Sequence, residues 1–118
     1  MRWNLDPAEK ARSIVSFLEE KKAEKIVLLD IHETTTLADF FIICNGTSDR
    51  MLHALATTLR EYIKAEFGKS VLIEGESRDG WIVADVDDII VHIFSPDRRN
   101  YYKLEQLWNK GKLVLSLQ

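Results

Sequence analysis

No run of apolar residues in this sequence approaches the roughly 20 needed to span a bilayer, so no membrane helix is expected. The opening MRWNLDPAEK has no apolar stretch of the kind found in signal peptides, and a cytoplasmic chain is the expectation. A single cysteine, Cys44, excludes an intrachain disulfide and fits a reducing compartment. An excess of positive charge is also absent: 16 Lys and Arg stand against 19 Asp and Glu, for a formal net charge of −3. That balance weighs against a surface made to neutralise phosphates, and so against free nucleic acid as a partner. It better suits a basic protein. No internal repeat, low-complexity stretch or linker interrupts the chain. With 118 residues, 46% of them hydrophobic, one soluble domain over residues 1–118 with one core is expected.

Local signals give the order of elements. Asp6 can cap a helix with Pro7 in its first position and Glu9 reaching back. Ala11, Ile14, Val15 and Leu18 then share one helical face. Lys25 to Asp30 reads as a short buried strand, and His32 to Thr36 as a polar connection. Phe40 to Cys44 is apolar on both sides and therefore central in a sheet. Thr47 or Ser48 caps a long helix, with Leu52, Leu55, Ala56, Leu59 and Ile63 as its apolar stripe and Gly68 at its end. Ser70 to Ile73 is a third strand, followed by a polar loop from Glu74 to Gly80. Trp81 to Ala84 and Ile89 to Phe94 form a hairpin. Ser95 and Pro96 open a last helix that carries Tyr101, Leu104, Leu107 and Trp108 on its apolar side, with Gly111 near its end. The result is an α/β domain with a mixed five-stranded sheet flanked by helices. The apolar tail, residues 112–118, fits an edge strand, a packed tail or a contact with another chain.

The chemical signals are weak one by one. Asn45-Gly46-Thr47-Ser48, between a strand and a helix, has the outline of a phosphate loop. It has neither the lysine of a P-loop nor the three glycines of a dinucleotide site, which favours a turn and a helix cap. Asp85 and Asp87 alternate as magnesium-binding acids of nucleotidyltransferases do, but they fall at the tip of the hairpin, where aspartate suits a turn. His32, His53 and His92 form no zinc spacing with one another or with Cys44, so neither metal nor cofactor is expected. Cys44, at the end of an apolar strand, reads as a buried structural thiol. The pairs Lys21-Lys22 and Arg98-Arg99 read as solvated helix surface.

The hairpin carries a sharper signal. With Val86-Asp87 as the turn residues, Asp85 faces Asp88, and counting back pairs Val83 with Ile90 and Trp81 with His92. Alternation puts Trp81, Val83, Ile90, His92 and Phe94 on one sheet face, and Ile82, Ala84, Ile89, Val91 and Ile93 on the other. The aliphatic face suits packing under helices. The Trp/His face fits two descriptions equally: a core under the last helix, or an interface.

Taken in order, ADFFIICNGTSDR, then EG followed by WIVAD, then DDIIVHIF and YYKLEQLW resemble the RsfS or Iojap-like family of ribosomal silencing factors. The resemblance covers about residues 6 to 110. One departure is Asp87, where the family commonly has glycine. The resemblance implies a nucleotidyltransferase-like fold without enzyme activity. It also implies binding to the large ribosomal subunit through large-subunit ribosomal protein number fourteen, which would sterically block subunit joining and repress translation. In organelles such proteins act in large-subunit biogenesis, and several members form homodimers. The expected partner-binding residues are Trp81 and His92 on the sheet face and Tyr101, Tyr102 and Trp108 on the last helix. Two other readings stay open. One is a small nucleotidyltransferase using Asp85, Asp87 and the Gly46-Thr47-Ser48 loop. The other is a ribosomal RNA-binding assembly factor using Arg98 and Arg99.

Overall fold

The computed structural model describes residues 5–103 and 111–117, with the backbone alone at Tyr101 and Tyr102. Helix α1 (Pro7–Glu20) starts where the sequence signals it: the Asp6 carboxylate accepts from the Glu9 backbone N–H at 2.9 Å. Strands β1 (Glu24–Asp30) and β2 (Phe40–Asn45) follow, then helix α2 (Asp49–Phe67), capped by Ser48 and closed by Gly68 in the left-handed conformation at φ 66°. Strand β3 (Leu72–Glu76), a 3₁₀ turn (Ser77–Asp79), β4 (Trp81–Val86), β5 (Ile89–Phe94), α3 (Pro96–Tyr102) and β6 (Lys112–Leu117) complete the chain.

The strands form one mixed sheet in the order β3-β4-β5-β2-β1-β6. Among the described strands only β2 and β5 run parallel, and β2 is buried along its whole length, as a central strand with apolar residues on both sides must be. Helices α1 and α2 cover one face, over a core that includes Ile14, Leu18, Leu52, Leu59, Ile82, Ala84, Val91 and Ile93. The other face carries a smaller cluster of Leu29, Ile31, Ala38, Phe41, Ile43 and Phe94.

Four expectations change. The sheet has six strands and not five, because the apolar tail pairs antiparallel with β1 as an edge strand. Those bonds satisfy backbone groups that β1 would otherwise leave open at the sheet margin. The third strand runs from Leu72 to Glu76, further along than Ser70–Ile73, so Glu74, Gly75 and Glu76 are strand and not loop. An outermost strand exposed over most of its length tolerates such polar residues. The hairpin turn is Asp87-Asp88, with Val86 opposite Ile89, so Trp81 lies opposite Phe94 and Val83 opposite His92. Val86 is fully buried, and its isopropyl group belongs in the core, whereas Asp87 tolerates the turn at φ 55°. The register therefore shifts by two residues, which leaves both face assignments intact. Finally, α3 ends at Tyr102, with Lys103 left-handed at φ 47°. Leu104, Leu107 and Trp108, expected to continue that helix, lie outside the described residues.

Candidate interaction face

Trp81 is positioned by the turn before it. Gly80 holds φ 75°, and a Cβ there would come within 2.6 Å of both Ser95 Oγ and Arg98 Cγ, so only glycine lets the 3₁₀ turn rest on the start of α3. The Ser95 N–H donates to the Gly80 carbonyl at 2.9 Å, tying the ends of β4 and β5 together. From there the half-buried indole of Trp81 stacks on Phe94, with ring centroids 5.0 Å apart.

Although Trp81 and His92 are not directly opposite, they meet on the diagonal. The indole Nε1–H donates to His92 Nδ1 at 3.2 Å. Phe41 meets the imidazole edge-on at 4.8 Å between centroids. His92 is only 7% exposed, and burial pushes its pKa down to about 4, so the ring is neutral at physiological pH. Because Nδ1 accepts, the ring proton sits on Nε2. That Nε2 is buried and has no hydrogen-bond partner among the described residues.

The rest of this face opens outward. Val27 and Ile90 are half-buried against the cluster. At the margins, Leu72 lies opposite Asp85 on β4 and Leu113 opposite Leu29 on β1, which puts both on the Trp81 face, 60% and 63% exposed. Glu74, opposite Val83, and Asp85, opposite Ile90, add exposed carboxylates on the β3–β4 side. An aromatic and aliphatic centre with an acidic flank has the make-up of a docking surface for a basic protein. Of the expected partner-binding residues, the structure brings Trp81 and His92 together. Tyr101 and Tyr102 fall in the last turn of α3, their side chains outside the described residues, as is all of Trp108.

The Asn45–Ser48 loop, by contrast, is bound from within. The Asn45 side-chain oxygen accepts from Arg99 Nη1 at 2.9 Å, and the Gly46 N–H donates to the Phe94 carbonyl at 2.9 Å. The Thr47 N–H and hydroxyl both point at the Met51 sulfur, at 3.4 and 3.5 Å, and Ser48 Oγ accepts from the Met51 N–H at 3.1 Å. A Cβ on Gly46 would come within 2.9 Å of Leu52 Cδ2, so this glycine serves the packing of α2. The loop is a turn and a cap. Nor do the aspartates reach it. Asn45 aligns with Phe94 and Trp81, whereas Phe40 aligns with Ile89 and Val86. Asp85 and Asp87 are therefore toward the opposite end of the sheet, about 13 and about 20 Å away along the strands at roughly 3.3 Å per residue. Among the described residues no cluster of three His, Cys, Asp or Glu could hold a metal ion.

Cys44 is fully buried as expected, and desolvation pushes its thiol up to about 12. Arg99, expected on solvated surface, is only 9% exposed. Its Nη1 also donates to the Lys25 carbonyl at 2.7 Å, where β1 bulges and Lys25 takes φ 50°, so one guanidinium joins α3, β1 and β2. Nothing local in the sequence separates Arg99 from its exposed neighbour Arg98. The carbonyl that captures it lies in a bulged part of β1, 74 residues earlier in the chain.

No helix among the described residues is long and apolar enough to cross a membrane. The chain matches the family described as "ribosomal silencing factor during starvation" over residues 4–117. It is 35% identical to the ribosomal silencing factor RsfS of Halalkalibacterium halodurans over 100 residues, 85% of this chain and 86% of that one. It is also 32% identical to the mouse protein named "mitochondrial assembly of ribosomal large subunit protein 1", over 80% of this chain and 43% of that longer one. Among solved structures, a protein from Chromobacterium violaceum superposes with a TM-score of 0.83 at 29% identity, covering 94% of each chain. A sequence matched almost end to end, and a fold shared at that level, make this chain a member of the RsfS family of ribosomal silencing factors.

Proposed function

We propose that this protein is a translation repressor that binds the large ribosomal subunit in the cytoplasm, through large-subunit ribosomal protein number fourteen, and bars the small subunit by occupying its place. The observation that carries this reading is the open Trp81 face. It combines a stacked aromatic centre, exposed leucines at both margins and an acidic flank suited to a basic ribosomal protein. No chemistry is needed, because two bodies cannot fill one volume. The internally bonded Asn45–Ser48 loop and the distant aspartates support a role without catalysis. The name of the mouse relative favours a second role on the same partner, in large-subunit assembly.

The test is capture of ribosomal proteins from lysate by the tagged chain, with and without nuclease, followed by a subunit-joining assay with purified subunits. Direct binding of ribosomal protein number fourteen after nuclease treatment, with loss of joined ribosomes, is expected. Capture that vanishes with nuclease would assign the contact to RNA. Magnesium-dependent nucleotide transfer that disappears in Asp85→Ala would make the protein an enzyme.

A further inference from the structure

On the helix-covered side of the sheet, away from the Trp81 face, a groove of about 490 Å³ runs between α2 and the β3–3₁₀ segment. That volume is within the roughly 300–1,000 Å³ of small-molecule sites. Its floor is apolar, formed by Ile73 and Ile82. One wall is a single stripe of α2, with His53, Thr57 and Arg60 at successive three- and four-residue steps. The facing wall presents Glu76, Ser77 and Arg78. Arg60 and His53, both exposed, make no hydrogen bond or ion pair among the described residues. Arg78 holds Glu76 at 2.7 Å, with both side chains mostly in solvent, and a pair so exposed gives way easily to a stronger anion.

We propose that this groove binds a phosphate-bearing ribonucleotide, either free or as part of a single RNA strand. Guanidinium groups on opposite walls can grip several oxygens of one phosphate, which suits arginine better than any other side chain. The hydroxyls of Thr57 and Ser77 add donors, and the isoleucine floor offers an apolar seat for a base or ribose. A lone carboxylate would leave that floor unused. The protein carries a formal net charge of −3, so the attraction is local and weakens with salt. Glu76 is the single carboxylate among the described residues that line the groove, too few to hold a catalytic metal pair, so the nucleotide is held and not turned over, and magnesium is not required. The proposal does not rest on the ribosomal reading, because the groove's floor, Ile73 and Ile82, lies on the side of the sheet opposite Trp81.

The experiment uses the full chain and two probes without magnesium: ATP by calorimetry and a short oligouridylate by fluorescence polarisation. Saturable binding is expected, about tenfold weaker in Arg60→Gln or Arg78→Gln and lost in the double variant. These side chains are exposed, and a thermal melt checks that each variant folds. Trp81→Ala should leave binding of both probes unchanged, which separates this site from the docking face. Binding of both probes assigns a mononucleotide site, and binding of the oligonucleotide alone assigns an RNA strand. No saturable binding of either probe, or binding that survives in the double variant, would overturn the proposal.

Discussion

The two faces of the sheet are built from the same strands yet have different compositions. Along β4 and β5, the side under the helices carries Ile82, Ala84, Val86, Ile89, Val91 and Ile93, all buried and all aliphatic. The other side carries Trp81, Val83, Asp85, Ile90, His92 and Phe94, of which only His92 and Phe94 are buried. The first face is closed by helices of the chain itself. The second carries the half-buried Trp81 ring, a His92 donor without a partner among the described residues, and exposed leucines. Aliphatic packing contributes stability without needing a partner, whereas half-covered aromatic rings are the usual anchors of an interface. The contrast ties stability to the first side and makes the second the candidate for recognition.

The largest effect expected is on the closed side. Ile93→Ala removes most of a fully buried side chain beneath the helices, and a cost of about 2–5 kcal/mol is expected. A denaturant melt checks the loss, and the folded fraction should still bind its ribosomal partner. Loss of binding without loss of stability would break the division between the faces.

Acid tests the buried histidine of the open side. His92 is held near a pKa of about 4, below the ordinary 6.5, by desolvation. The unfolded chain therefore takes up this proton first. Its contribution is complete above about pH 6.5 and is lost as the pH falls toward 4, by on the order of 3 kcal/mol in all. Stability measured across that window should fall in the wild type and fall less steeply in His92→Gln. Equal slopes would show that the imidazole is not held neutral.

The smallest effect is at the hairpin tip. Asp87→Gly relieves a left-handed residue at φ 55° but gives up an exposed pair with Lys69 at 3.4 Å. A net gain of less than about 1 kcal/mol is expected, read as a small rise in Tm. A loss would mean that the turn depends on the carboxylate.

The faces were legible in the sequence because a strand alternates with period two, so a register error of two residues moves no side chain across the sheet. The register itself was not legible. Choosing Asp87-Asp88 over Val86-Asp87 depends on how deeply Val86 is buried, which is a tertiary fact. The helix caps at Asp6, Ser48 and Ser95 could be read directly, since each bonds within three residues of itself. β6 could not be fixed, because an apolar tail gains a partner only from the free edge of β1. Of the open face, Trp81 and His92 were legible, but Leu72, Leu113 and the acidic flank emerge only when three distant strands align.

The Trp81 face is the proposed place where the ribosome is met. Its most direct test pairs a titration of Trp81→Ala against large-subunit ribosomal protein number fourteen with a denaturant melt of the free variant. Binding should weaken by about 2 kcal/mol or more, as for a central aromatic anchor. Stability should fall by less than the roughly 3–5 kcal/mol that truncating a fully buried aromatic costs, because the indole is only half-buried. A collapse of stability with normal binding by the remaining folded protein would contradict the account and make Trp81 a core residue.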